Sequence, residues 1–518
     1  MKTRELLQEE IKQNSLWDVV VIGGGASGLG TALDAVSRGY KTLLVEQADF
    51  AKGTSSRSTK LAHGGVRYLA QGNIRLVFEA LRERGLMQRN APHLFSNISF
   101  VIPAYAWWAI PFYTIGLTIY DLMAGRKSFG RSKPQIKTKV LKKLPTIIAK
   151  KLKGGILYHD GQFDDARLAI NLAQTIVDNG GVALNYTKVI GFTKENEKIT
   201  SVKLKDTLTD ELFEVKTKAV VNATGVFVND VLQLDNPKAR DIVQASQGVH
   251  IVLDKSFLPS KYGLMIPKTR DGRVLFAVPW YDKVILGTTD VPKEKHLLDP
   301  IATAEEIDFI LETASQFLTK RPTRKDIKSV FAGLRPLAAP KEGKTKTKEI
   351  SRGHKIYTTN SGMTTVIGGK WTTYRQMGED VIDKVQQTAN FEVKASQTAN
   401  MKIHAYQIST DNTVLAYYGK DAQYINALIA SDKALAKPLS EKSNIIAAQV
   451  VWACRNEWAQ TVEDVLARRT RLLFLDAAEC IKIAPQVAQI MAKELKLPKS
   501  WEEKQIIEFT RLAKTYLI

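Results

Sequence analysis

Gly23, Gly25 and Gly28 form a GxGxxG run directly behind an apolar stretch, WDVVVI at 17–22. Glycine lets a backbone turn tightly and approach a pyrophosphate, whose charge is met by free N–H groups at the start of the following helix. The pattern predicts a strand over 17–22, a helix over 26–37 and a second strand over 41–46 that ends on Glu46. A carboxylate at that strand end can accept a ribose hydroxyl. GxGxxG alone is a weak signal, but with strand, helix, strand and terminal acid around it the run identifies a dinucleotide-binding βαβ unit. A later strand ends in VVNATG at 220–225, placing Thr224 and Gly225 to meet the same cofactor. No second complete fingerprint for a pyridine nucleotide occurs. With the unit at the head of the chain, the expectation is FAD, with the substrate itself as electron donor.

Composition bounds the partners. The chain has 518 residues, too many for one compact core, so two or three domains are expected. Hydrophobic content of 44% and charged content of 25% are those of a folded protein. A net charge of +21 points to an anionic partner: nucleic acid, anionic lipid or a phosphorylated substrate. The plainer alternative is a lysine-rich surface that serves solubility. Cys454 and Cys480 cannot frame a disulfide scaffold, which fits a reducing compartment. The seven histidines form no HExxH or paired Cys/His spacing, so no metal site is expected. MKTRELLQEEIKQNS at the start lacks an apolar core and reads as neither signal nor anchor. The longest apolar stretch, 100–119, is broken by Pro103 and Pro111 and falls short of the ~18 residues a spanning helix needs.

The elements that must position these residues follow from periodicity. Asn73 can cap a helix that buries Val77, Ala80 and Leu81. Short strands are expected over 180–221, 250–286 and 355–367, with a helix from Lys370 onward. After about 396 helical signals take over, with capping-box spacings at Thr461 and Asp464 and at Ser500 and Glu503. Asp165 and Arg167 read as a helix-start pair with a structural role.

Residues 98–120 carry Trp107, Trp108, Phe112, Tyr113 and Tyr120 among aliphatics. A run without acids follows: Arg126, Lys127, Arg131, Lys133, Lys137, Lys139, Lys142, Lys143, Lys150, Lys151 and Lys153. Aromatics suit the headgroup boundary and lysines suit anionic lipid, so a peripheral, monotopic membrane contact is expected here. No nucleic-acid-binding motif accompanies the charge, and nucleic acid is not expected as a partner.

Seven motifs in series resemble the FAD-dependent glycerol-3-phosphate dehydrogenases: TSSRSTKLAHGGVRYL at 54–69, DDARL at 164–168, VNATG at 221–225, GVHIVL at 248–253, LGTTD at 286–290, GLRPL at 333–337 and GGKWTTYR at 368–375. RRTRLLFLDA at 468–477 is similar to that family's helical C-terminal domain. The resemblance covers nearly the whole chain. It implies an α/β (α+β) protein with three parts. The first is a Rossmann-like FAD-binding domain of the glutathione-reductase/D-amino-acid-oxidase type, discontinuous over 1–95, 155–245 and 353–395. The second is a mixed-sheet, membrane-facing substrate domain over 96–154 and 246–352. The third is a helical C-terminal domain over 396–518.

The resemblance also implies roles. His63, Arg335, Lys370 and His250 are the catalytic candidates, and Arg67, Tyr68, Thr288 and Arg352 the substrate-binding ones. Thr54, Ser55, Ser56, Thr59, Gly369, Thr372 and Thr373 are expected against the flavin. A phosphomonoester dianion needs converging cations, and arginine binds it bidentately. Oxidation of a secondary alcohol needs a base near the hydroxyl, and His63, His250 or Lys370 could serve. Arg335 stays charged and suits the developing alkoxide. The implied reaction takes sn-glycerol 3-phosphate to dihydroxyacetone phosphate, with membrane quinone as acceptor at the cytoplasmic face of the cell membrane. An oxidase that makes peroxide from oxygen is the alternative. An amino-acid or amine oxidase of the same fold is a more distant one. Oligomeric state stays open, with a homodimer as one arrangement.

Overall fold

Val19, Val20 and Val21 are wholly buried, as a parallel strand covered on both faces requires. In this computed structural model, which describes residues 1–65, 73–270, 272–339, 353–408 and 414–518, Trp17–Ile22 lies near the middle of the first sheet. The order is Lys355–Thr358, Thr364–Ile367, Leu212–Asn222, Trp17–Ile22, Thr42–Val45, Val182–Leu184. Trp17–Ile22 runs parallel to both neighbours. Its C-terminal end and that of Leu212–Asn222 therefore open on one edge, where such sheets bind ligands. Helix Ala26–Ser37 follows the glycine turn with the predicted bounds.

The second sheet is mixed and larger. Val243–Asp254 is paired along its length with Ile327–Ala338, placing Ser246 opposite Arg335 and His250 opposite Phe331. Phe95–Ala104 pairs with Gly154–Phe163 over ten residues. Gly154–Phe163 was expected to open a stretch of the FAD-binding domain. It belongs to the second sheet instead, because its full-length ladder is with Phe95–Ala104, and Leu61–Ala62 adds to its far side.

Helices Ala422–Ser431, Ala447–Asn456, Ala477–Leu495 and Lys499–Lys514 dominate the C-terminal part, with one short ladder between Pro438–Ser440 and Ser443–Ile446. Thr461 and Asp464 form the expected reciprocal cap: each side chain accepts the other's backbone N–H, at 3.0 and 3.2 Å. Ser500 does not cap. Pro498 holds the N-cap position in an extended conformation, so Ser500 falls inside the first turn.

The C-terminal part joins the rest through apolar contact with Val252, Trp280, Ile285 and Phe331 and through buried ion pairs. Asp49 accepts from Arg468 and Arg469. Asp165 accepts from Lys60 at 2.7 Å and from Arg471 at 2.8 Å. Arg167 meets Glu457 at 2.7 Å. Asp164, one residue before the expected pair, is the N-cap that accepts the Arg167 N–H. Among the described residues no helix is long and apolar enough to cross a membrane, and no group of side chains could hold a metal ion.

Candidate active site

The glycine turn is built for close approach. Gly23 sits at φ +111°, and a Cβ on Gly28 would lie 1.8 Å from the Gly23 carbonyl oxygen. Gly24 N–H donates to Glu46 Oε2 at 2.7 Å, and Ala48 N–H donates to Oε1 at 3.0 Å. Burial raises the Glu46 pKa, and the two N–H donors oppose that shift. A cavity of about 760 Å³ starts at Gly23, Gly25 and Glu46. It passes Thr224 and Gly225 and reaches Gly369, Lys370 and Thr372.

The 54–59 loop forms one wall. Ser55 Oγ accepts the Ala26 N–H at 2.9 Å, and its carbonyl accepts Trp371 Nε1–H at 2.7 Å. Thr54, Ser55 and Thr59 line the cavity. Ser56 and Thr373, expected against the flavin, lie behind the wall. The Ser56 carbonyl takes Lys60 Nζ at 2.6 Å, and both side chains are buried. Gly28 likewise packs under the turn and is not part of the lining.

A second cavity of about 220 Å³ shares Thr59, Leu61, His63, Phe276 and Arg335 with the first. Thr288, Arg273, Asp290 and Asp160 close its far side. Arg335 Nη2–H donates to Thr288 Oγ1 at 3.1 Å, and Nη1 lies 3.5 Å from Asp290. Asp290 also accepts the Ser246 hydroxyl. His250 lines the larger cavity only, stacked on Phe331 with ring centroids 4.9 Å apart, and its Nε2 shares a hydrogen bond with Thr59 Oγ1 at 2.9 Å. Burial holds the His250 pKa well below the usual histidine range, and the charges of Arg335 and Lys60 push the same way. The ring is therefore neutral at neutral pH. Lys370 lines the larger cavity.

The structure thus places His63 and Arg335 at the junction, Thr288 in the smaller cavity bonded to Arg335, and His250 and Lys370 on the dinucleotide side. Arg67, Tyr68 and Arg352 lie outside the described residues. Arg273 was not anticipated. In DGRVLFAV it reads only as the edge of a strand, and its arrival in the cavity that Arg335 also lines depends on sheet pairing.

The comparisons agree with this geometry. A family described as FAD dependent oxidoreductase matches residues 18–375, and the C-terminal domain of alpha-glycerophosphate oxidase matches 364–506. The chain is 37% identical to the mitochondrial glycerol-3-phosphate dehydrogenase of Macaca fascicularis, over 99% of this chain and 75% of that protein. It is 33% identical to the Saccharomyces cerevisiae protein of the same description, over 98% and 91%. The crystal structure of the glycerol-3-phosphate dehydrogenase from Bacillus halodurans complexed with FAD superposes with a TM-score of 0.81 at 29% identity, covering 99% of this chain and 97% of that one. The close-packed glycine turn, the Glu46 carboxylate beside it and the long cavity beyond fit FAD as cofactor. The chain belongs to the FAD-dependent glycerol-3-phosphate dehydrogenase family.

Proposed function

We propose that this protein oxidises sn-glycerol 3-phosphate to dihydroxyacetone phosphate at a membrane surface and passes the electrons to quinone. The observation that carries the reading is the shared wall of the two cavities, where Arg335 and His63 face both the dinucleotide site and a small pocket that also holds Arg273 and Thr288. Bound FAD supplies the hydride acceptor for C2 of the alcohol. The pocket's own work is charge and alignment. Thr288 and Asp290 hold the Arg335 guanidinium across the junction, where it can meet a phosphate or a developing alkoxide. His63 takes the hydroxyl proton. His250 lines only the dinucleotide side, with its Nε2 engaged by Thr59 Oγ1, and burial lowers its basicity.

Membrane attachment is supported by helix Ala109–Ala124 and the turn before it. Trp107, Trp108, Phe112, Ile115 and Leu122 are 73%, 58%, 60%, 63% and 75% exposed. With Ile119, also exposed, between Ile115 and Leu122, they recur from Trp108 onward at three- and four-residue spacing, so one helix face carries an apolar stripe. Tyr120, grouped by sequence with these aromatics, points inward and is 1% exposed, held by hydrogen bonds to the core. The basic helix Lys137–Lys143 buries only Val140, and Lys137, Lys139 and Lys142 are exposed, where they can meet anionic headgroups.

Trp107→Ser/Trp108→Ser is expected to weaken binding to anionic vesicles about a hundredfold, since each indole removed from the interface forfeits roughly 1.5 kcal/mol. Neutralising the lysines should remove the salt-sensitive part, at about 1 kcal/mol each. Co-sedimentation measures both, and equal sedimentation of all variants would place the contact elsewhere. The acceptor is tested by reducing vesicle-bound enzyme with glycerol 3-phosphate and timing reoxidation. Quinone in the bilayer should act faster than dissolved oxygen, whereas oxygen acting faster, with peroxide formed, would make the protein an oxidase.

A further inference from the structure

We infer that Tyr120 is a positioning residue for the loop His63–Gly65 and sets how tightly the smaller cavity holds a phosphorylated alcohol. The inference rests on the function proposed above. Gly64 N–H donates to the Tyr120 phenol oxygen at 2.8 Å. The phenol O–H donates in turn to Asp160 Oδ2 at 3.1 Å, and Arg84 Nη1–H donates to Asp160 Oδ1 at 2.6 Å. Tyr120 and Arg84 are 1% exposed and Asp160 is 3% exposed. Three separate elements, helices Ile74–Asn90 and Ala109–Ala124 and strand Gly154–Phe163, thus converge on one backbone N–H.

That N–H stands between the side chains that matter. His63 on one side faces both cavities, and Gly65 on the other lines the smaller one. Gly64 has no room to shift, since a Cβ there would lie 2.6 Å from the phenol oxygen and 2.6 Å from Leu81 Cδ2. A buried ion pair is weak support for stability as such, because well-packed apolar groups serve as well. This one fixes the direction of a hydrogen-bond chain. Burial raises the Tyr120 pKa well above its usual value, and the neighbouring Asp160 adds to the shift, so the phenol keeps its proton and donates to the carboxylate. Its oxygen then accepts from Gly64 N–H at 2.8 Å and, more weakly, from Arg84 Nη1–H at 3.4 Å. The same arrangement covers Asp160, which lines the smaller cavity. With Arg84 on one oxygen and the phenol on the other, its charge is offset where a phosphate dianion would otherwise be repelled.

The test is Tyr120→Phe in the FAD-loaded enzyme, which removes one oxygen and keeps the ring. Glycerol 2-phosphate, read by its perturbation of the flavin absorption, should bind about tenfold more weakly, the range expected for a lost buried hydrogen bond. KM for glycerol 3-phosphate should rise by a similar factor, with kcat changed less than KM. Amide exchange in a peptide covering 61–65 should accelerate about tenfold, while a peptide covering 17–22 keeps the wild-type rate. Unchanged affinity and exchange would overturn the inference. So would faster exchange in both peptides with loss of flavin, because the phenol would then merely hold the fold. If the wild-type enzyme neither binds the phosphate esters nor is reduced by glycerol 3-phosphate, the proposed function itself fails, and the inference with it.

Discussion

Replacing Arg335 with alanine is expected to lower kcat/KM for glycerol 3-phosphate between about 10²- and 10³-fold, the loss of roughly 3–4 kcal/mol of transition-state stabilisation. The guanidinium is rooted in the C-terminal third of a twelve-residue strand, Ile327–Ala338, and lies across Gly248, where a Cβ would come within 2.3 Å of Nη2. Thr288 and Asp290 fix its fork, so no reorganisation is needed when charge develops. Its side chain is 26% exposed, and truncation should leave the fold and the bound flavin in place. Arg335→Lys restores a charge without the planar fork and should recover only part of the loss. Steady-state kinetics on flavin-loaded variants measure both. An alanine variant within threefold of wild type would place Arg335 outside the reaction.

The parts legible in the sequence were those written in consecutive residues. The turn at Gly23, Gly25 and Gly28 with Glu46 is local, and the structure has strand, turn and helix over the expected residues with Glu46 packed against the turn. His63, Arg335 and Lys370 stood out because each sits in a motif. Arg273 and Asp160 carry no such mark. They line one cavity only because Gly263–Ile266 lies between Leu275–Trp280 and Phe95–Ala104, and Gly154–Phe163 follows on the far side. That order is set by pairing between distant segments. Tyr120 was misjudged for a related reason. Aromatic content marks an interfacial helix, but which face a residue takes depends on what the core offers it, here Asp160 and the Gly64 amide. Ser56 and Thr373 share a motif with residues that line the cavity, and backbone geometry turns them the other way.

The largest stability effect is expected at Asp49, which no motif marked. Its carboxylate accepts from Arg468 Nε at 2.5 Å and from Arg469 at 2.5 and 2.9 Å, with all three side chains no more than 2% exposed. Asp49→Ala leaves two buried guanidiniums short of charge and should cost about 3–5 kcal/mol, read from urea unfolding of the flavin-loaded protein. An effect below 1 kcal/mol would show that Glu463, Asp464 and Glu457 compensate.

The same cluster predicts acid sensitivity. Burial alone would raise the Asp49 pKa, but Arg469 and Arg468 hold it well below the carboxylate range. Glu463, partly buried, is brought down to about 2 by Arg468 and Lys52 against the effect of desolvation. Groups whose folded pKa is depressed stabilise above their unfolded pKa of about 4 and lose that contribution as pH falls through the folded value. Stability should therefore drop between about pH 5 and 2, and Asp49→Ala should flatten the slope. At the alkaline side His404, between Asp178 and Asp421, is raised to about 9 despite burial. Its contribution is fully present below the unfolded pKa of about 6.5 and is lost as pH climbs toward the folded value.

The electron donor proposed for this protein is a phosphorylated secondary alcohol. Under argon, one equivalent of glycerol 3-phosphate should bleach the bound flavin and yield one dihydroxyacetone phosphate per flavin, while glycerol at the same concentration leaves the yellow spectrum unchanged. A flavin that stays oxidised with glycerol 3-phosphate, or that glycerol bleaches equally well, would contradict the account.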